Sequence, residues 1–223
     1  LAVFSALSLT CQDKWPKNLG IDYAAAITQA KGFTGNIFVS SHNDGCIYEL
    51  GAQGTYMQSH YLPAYKQISG LTVASNGHFI ASFVSSDVAI WDPTSSLENP
   101  VSLQPPGDSW RPWSITADLN KRRVLIPDNC HGSVYEYTED GQYAWTLISG
   151  LETPTDVEVG STGEIYVVEY LVSGKLKEYD SNGALLRVYG KALRWPLNVA
   201  VVPDGAVFVT EPYNGRINKI TCM

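Results

Sequence analysis

Three acids recur at near-constant spacing: Asp128, Glu169 and Glu211, 41 and 42 residues apart. Each closes a short apolar run (VLIPD, IYVVE, VFVTE) and precedes a turn leading to glycine, at Gly132, Gly174 and Gly215. His42, Asp44, His131, Tyr170 and Tyr213 fall on turns of this kind. Trp110, Arg111, Trp113 and Arg194 fall in the segments that enter the next unit. A carboxylate accepts hydrogen bonds, and imidazole exchanges protons near neutral pH. An indole offers a flat apolar face with a polar edge. Together these side chains suit recognition of a polar ligand, or one acid–base site.

A structural explanation competes for each of them. Acids that close strands accept turn amides or pair with arginine. Tryptophan beside proline packs between neighbouring units. His42 and His131 read as solvated turn residues ahead of ligands, and Asp156 and Asn198 as strand caps ahead of site residues. Two rings flanking Arg111, Trp110 and Trp113, are harder to assign to packing alone.

The elements that must position these residues form a repeat. Pro112, Pro154 and Pro196 each open a copy: PWSITADLNKRRVLIPDNCHGSV, PTDVEVGSTGEIYVVEYLVSGKL and PLNVAVVPDGAVFVTEPYNGRI. Two weaker copies, ITQAKGFTGNIFVSSHNDGCI and GLTVASNGHFIASFVSSDVAI, lie upstream. The turn positions 45, 87, 132, 174 and 215 are 42, 45, 42 and 41 apart. A period near 40 to 50 with several short strands per unit marks propeller blades. The runs IFVS, FIASF, VLIP, IYVV and VFVT are β-rich and bounded by turn residues. Alternating segments (CIYEL, SVYEY, KLKEY, RINKI) follow each turn, and YMQSHYL, YAWTLI and LLRVYG supply fourth strands. YAAAITQA reads as a first strand rather than a helix.

The expected fold is therefore all-β: a five-bladed propeller of four-stranded antiparallel blades in a single domain. The blades span roughly 21–67, 68–111, 112–153, 154–195, and 196–223 completed by 1–20. Aligning Trp15-Pro16 with Trp195-Pro196 makes Phe4 to Thr10 the closing strand, which removes an exposed sheet edge.

The chain has 223 residues and a formal net charge of −7. The balance argues against a nucleic-acid partner, which would need a basic face. NKRR, the one basic cluster, reads as a solvated turn. No run approaches the ~20 apolar residues of a membrane span. Cys11, Cys46, Cys130 and Cys222 form an even set without a C-x-x-C pair, so the spacing is no zinc motif. Such a set in a Gly- and Tyr-rich β-chain points to a secreted or extracellular protein.

PDGAVFVTEPYNGRI and the segment from Pro154 to Leu176 resemble NHL-repeat propellers of the gluconolactonase kind. Relatives of that shape include binding modules, lectin-like propellers, lactonases and amidating lyases, and fold does not choose among them. The lactonase resemblance implies one divalent-cation site at the channel mouth, with Asp156, Asn198, Glu169 and Glu211 as oxygen donors. It implies calcium rather than zinc. An amidating lyase would need three histidines, whereas His60 and His78 map away from His42 and His131. No G-x-S-x-G, H-E-x-x-H or P-loop is present. The expected function is binding of a carbohydrate, small polar ligand or peptide on the face of the 2–3 and 4–1 loops. The alternative is a metal-dependent hydrolase or lyase of lactonase or amidating type, with His42 or His131 as base.

Overall fold

The computed structural model describes residues 24–30, 35–62, 67–93, 100–189 and 193–220. Five antiparallel sheets follow one another along the chain as the blades of a propeller. The first holds β1 (Ala24–Gln29), β2 (Ile37–Ser41), β3 (Cys46–Leu50) and β4 (Tyr56–Tyr61). The second holds β5 (Ile68–Val73), β6 (Phe79–Phe83), β7 (Val88–Trp91) and the two-residue β8 (Val101–Ser102). The third holds β9 (Thr116–Asp118), β10 (Arg123–Asp128), β11 (Ser133–Thr138) and β12 (Tyr143–Ile148). The fourth holds β13 (Pro154–Val159), β14 (Ile165–Glu169), β15 (Lys175–Tyr179) and β16 (Leu185–Tyr189). The fifth has three described strands: β17 (Val199–Val201), β18 (Val207–Glu211) and β19 (Arg216–Ile220). The closing strand expected at Phe4 to Thr10, together with Cys11, Trp15 and Cys222, lies outside the described residues.

The second strand of a blade reads as an unbroken apolar run because both its faces are covered. Successive side chains of a strand point to opposite faces. Thus Phe79, Ala81 and Phe83 face a core shared with the first blade, where Phe38 meets Phe79 edge-on at 4.7 Å. Ile80, between them, faces the core shared with Val124 and Ile126 of the third blade. Leu125 turns the other way, toward Val157, Ile165 and Val167. Outer strands carry no such double burial, and β16 is exposed along most of its length.

Neighbouring blades are also stitched by hydrogen bonds one repeat apart. Thr155 Oγ1 donates to the Leu197 carbonyl at 2.9 Å, 42 residues on. The Ala117 N–H donates to Thr72 Oγ1 at 3.1 Å, 45 residues back. Two of the repeated glycines are required by close approach. A Cβ at Gly132 would lie 2.0 Å from the Leu151 carbonyl oxygen, and one at Gly174 would lie 2.1 Å from Pro196 Cδ.

The basic cluster corrects the solvated-turn reading in part. Lys121 and Arg122 are exposed, but Arg123 is buried. Its guanidinium pairs with Asp118 at 2.9 Å and Glu136 at 2.6 Å, and donates to the Ser181 carbonyl of the next blade at 3.0 Å. The cation is sequestered because two carboxylates and a carbonyl replace its water.

Candidate functional site on the loop face

The repeated acids end the second strands and hold the segment that enters their own blade. Asp128 Oδ1 accepts the Arg111 N–H at 2.7 Å, and Glu169 Oε1 accepts the Glu152 N–H at 2.7 Å. Glu211 accepts the Arg194 N–H. Each donor lies 17 residues upstream of its acid. Glu169 also pairs with Lys177 at 3.0 Å, while its second oxygen is buried without a partner. The structural explanation of these acids therefore holds. It also has a consequence for function, because each acid fixes a loop that bears Arg111, Arg194 or their neighbours.

At the junction of the second and third blades these loops line an open cleft of about 450 Å³. Ser86 and Asp87 come from the turn after β6. Leu103, Gln104, Pro105, Asp108, Ser109, Trp110 and Arg111 come from the segment between β8 and β9. Cys130 comes from the turn after β10. The cleft opens at the blade that lacks an acid, where Phe83 stands in its place and Ala89 faces Ala81 on the third strand. Of the two rings that flank Arg111, Trp110 is the buried one. It is 6% exposed and packs in the core against Tyr137, with ring centroids 5.8 Å apart. Trp113, in contrast, is 47% exposed and is not part of the lining. Arg111 is exposed, and among the described residues its guanidinium makes no ion pair.

The same Asp128 carboxylate orients His131. Oδ2 accepts from His131 Nδ1 at 2.6 Å and from the Tyr135 hydroxyl at 3.2 Å, while Oδ1 also takes the Cys130 N–H at 2.9 Å. Asp128 is fully buried, whereas the His131 side chain is 47% exposed. The imidazole is thus tethered through one nitrogen and presents the other outward. Burial beside this carboxylate pushes the Tyr135 phenol up to about 12.

The structure separates the remaining candidates. His42 Nδ1 lies 3.4 Å from the Ile68 carbonyl. Asp44 caps its own turn, accepting from the Cys46 N–H at 2.9 Å and the Tyr48 hydroxyl at 3.1 Å. Partial burial pushes the Asp44 carboxyl up, but hydrogen bonds from Ser41, Cys46 and Tyr48 outweigh it and hold the group below its ordinary value. Tyr170, Arg194 and Tyr213 meet at the junction of the fourth and fifth blades, around Trp195. The Tyr170–Trp195 centroids are 5.0 Å apart and the Trp195–Tyr213 centroids 6.5 Å. The sequence reading left Trp195 to packing, and the proline after it gives no signal of this grouping.

Asp156 lies at the inner end of its blade and bridges to the next. Its two oxygens accept the Val157 N–H at 3.0 Å and the Val199 N–H at 2.8 Å. Burial pushes its carboxyl up to about 6 against the opposing pull of Ser114, Val199, Val157 and Asn198. Asn198 therefore meets Asp156, but Glu169 and Glu211 are each engaged by the amides of their own loops. Among the described residues no three His, Cys, Asp or Glu side chains converge to hold a metal ion. The free thiols Cys46 and Cys130 are unpaired, and no helix is long and apolar enough to cross a membrane.

No protein-family profile matches the chain, and no curated protein sequence is significantly similar to it. Solved structures do match. A catalytically inactive variant of virginiamycin B lyase from Staphylococcus aureus, with quinupristin, superposes at a TM-score of 0.71 and 15% identity, over 92% of this chain and 68% of that one. A streptogramin B lyase matches at 0.66 and 13%, over 92% and 85%. Hydrazine synthase of Kuenenia stuttgartiensis matches at 0.65 and 12%, over 90% and 66%. At identities this low the likeness is one of fold, and with the sheets described above it makes the chain a five-bladed β-propeller.

Proposed function

We propose that this propeller is a ligand-binding protein whose principal site is the cleft between the second and third blades. The single observation that carries this reading is the juxtaposition of Arg111, which makes no ion pair among the described residues, with an open cleft of mixed lining. A volume of about 450 Å³ falls within the range of small-molecule sites. Leu103, Pro105 and Trp110 give the cleft apolar walls, while Asp87, Asp108, Ser109 and Arg111 supply a few polar contacts. The Arg111 backbone is fixed by buried Asp128, so part of the ordering cost of binding is already met. The arrangement suits a small polar ligand, a sugar or a peptide end carrying an acid group for the guanidinium. The NHL-like segment PDGAVFVTEPYNGRI supports grouping the chain with NHL-type propellers. A thermal-shift screen of sugars, amino acids and small carboxylates tests the reading. It expects a stabilising ligand whose effect disappears in Arg111→Ala, and ligands that act equally on both proteins contradict it.

A second reading, an enzyme, is favoured by the Asp128–His131 pair. A buried carboxylate that fixes one imidazole nitrogen leaves the other to take or give a proton. The solved structures named above include lyases, which supports keeping an elimination or hydrolysis in view. Loss of turnover in His131→Gln with ligand affinity retained would separate this reading from simple binding.

A further inference from the structure

We propose that Tyr170, Trp195 and Tyr213 form a second binding site, one that stacks a sugar ring of a neutral oligosaccharide. The proposal extends the binding reading to a different blade junction and shares no residue with the cleft. The three rings come from three separate turns. Tyr170 follows β14, Trp195 precedes β17, and Tyr213 sits in the 3-10 turn Pro212–Asn214 between β18 and β19. The core between these blades is already closed by Leu193, Val199 and Val207, and the three aromatics lie outside it. Tyr213 is 76% exposed.

The backbone at Trp195 is strained, with φ at +50°. A bulky side chain avoids this left-handed region, and a residue before proline favours extended backbone. Such a conformation persists only where its surroundings impose it, and it concentrates at ligand sites. Here the surroundings are visible on both sides. The Arg194 N–H is held by buried Glu211, and the Trp195 N–H donates to the Leu171 carbonyl at 2.8 Å. Pro196 then seats on Gly174, where no Cβ fits. The loop is pinned so that the indole stands between two phenols, tilted 50° to Tyr170 and 57° to Tyr213. A hydrogen bond with Tyr213 also raises the Tyr170 phenol above its ordinary value.

The chemistry of this site selects its ligand. The exposed Tyr213 ring and the half-buried Tyr170 and Trp195 rings gain from covering an apolar surface, and the exposed Arg194 next to Trp195 gains from hydroxyl partners. A pyranose ring supplies both, with C–H groups on its face and hydroxyls around its edge. The rings stand on turns, so what they offer is ring faces rather than a row of backbone hydrogen-bonding groups of the kind an extended peptide pairs with. The net charge of −7 disfavours polyanionic chains over neutral ones.

The test is calorimetry and tryptophan fluorescence with cellohexaose, chitohexaose, xylohexaose, laminarihexaose and a proline-rich decapeptide. We expect saturable binding of at least one glycan, with a fluorescence change absent in Trp195→Phe. Tyr213→Ala, at an exposed position, should keep the circular dichroism spectrum and weaken binding by about tenfold. The fluorescence change reports on Trp195, which lies outside the cleft, while Arg111→Ala in the thermal-shift screen reports on the cleft, so failure of the cleft reading and failure of this one are read separately. The proposal is overturned if no glycan binds up to about 10 mM, or if binding survives both aromatic substitutions. It is equally overturned if only the peptide binds with that sensitivity.

Discussion

The fully buried carboxylate of Asp128 accepts the backbone N–H of Arg111 at 2.7 Å, across 17 residues of chain. This contact joins the end of a second strand to the loop that carries Arg111, the one cation lining the cleft among the described residues. It recurs as Glu169 with Glu152 and Glu211 with Arg194. The repeat thus preserves a loop anchor, and what the anchored loop displays differs from blade to blade.

Removing this anchor should be costly. Asp128→Ala leaves the Arg111 and Cys130 amides and the Tyr135 hydroxyl without their acceptor, at 1–3 kcal/mol per buried orphan before relaxation and water are counted. A net loss on the order of 3 kcal/mol is expected in urea unfolding. A loss within about 0.5 kcal/mol of wild type would show that the contact does not anchor the loop.

Asp156 should give stability an unusual pH dependence. Burial raises its carboxyl from 3.8 to about 6. The folded state therefore holds a proton that the unfolded state has released between those values. Stability contributed by this group is present below about pH 4 and is lost as pH rises to about 6, by roughly 3 kcal/mol. The groups held below their ordinary values, Asp44, Glu49, Asp180 and Glu211, act in the opposite sense only at lower pH. The melting temperature should accordingly rise when pH falls from 7 to about 5. In Asp156→Asn that rise should be absent, and a rise of equal size in the variant would assign it to another group.

Two glycines separate clash from backbone strain. Gly132 and Gly215 both have left-handed backbone, at φ +60° and +58°. A Cβ at Gly132 meets the Leu151 carbonyl at 2.0 Å, whereas one at Gly215 has nothing within 4 Å. Gly215→Ala should cost about 1 kcal/mol, the conformational term alone. Gly132→Ala should cost several-fold more or fail to fold. Equal losses on thermal unfolding would mean that the backbone around Leu151 yields.

Much of this fold is legible in the sequence. The turn positions 45, 87, 132, 174 and 215 each directly precede a third strand, β3, β7, β11, β15 and β19. The acids close second strands as expected, because a period in proline, glycine and acid fixes register. Period does not fix which way a side chain turns. Trp110 and Trp113 sit three residues apart on one loop, yet one enters the core and the other does not. Arg123 is buried because Asp118, Glu136 and the Ser181 carbonyl surround it, and those partners come from other strands and another blade. The grouping of Tyr170, Trp195 and Tyr213 depends on a left-handed Trp195 that a Trp-Pro dipeptide gives no reason to expect.

The central claim is that Arg111 presents an anchored cation to a ligand in the cleft between the second and third blades. Two-dimensional NMR of the protein titrated with hits from the thermal-shift screen tests it most directly, with Arg111→Ala in parallel. Shifts confined to the cleft lining, among them Asp108, Trp110 and Cys130, are expected, with their loss in the variant and its melting temperature unchanged. Shifts that map elsewhere, or that persist without the guanidinium, would contradict it.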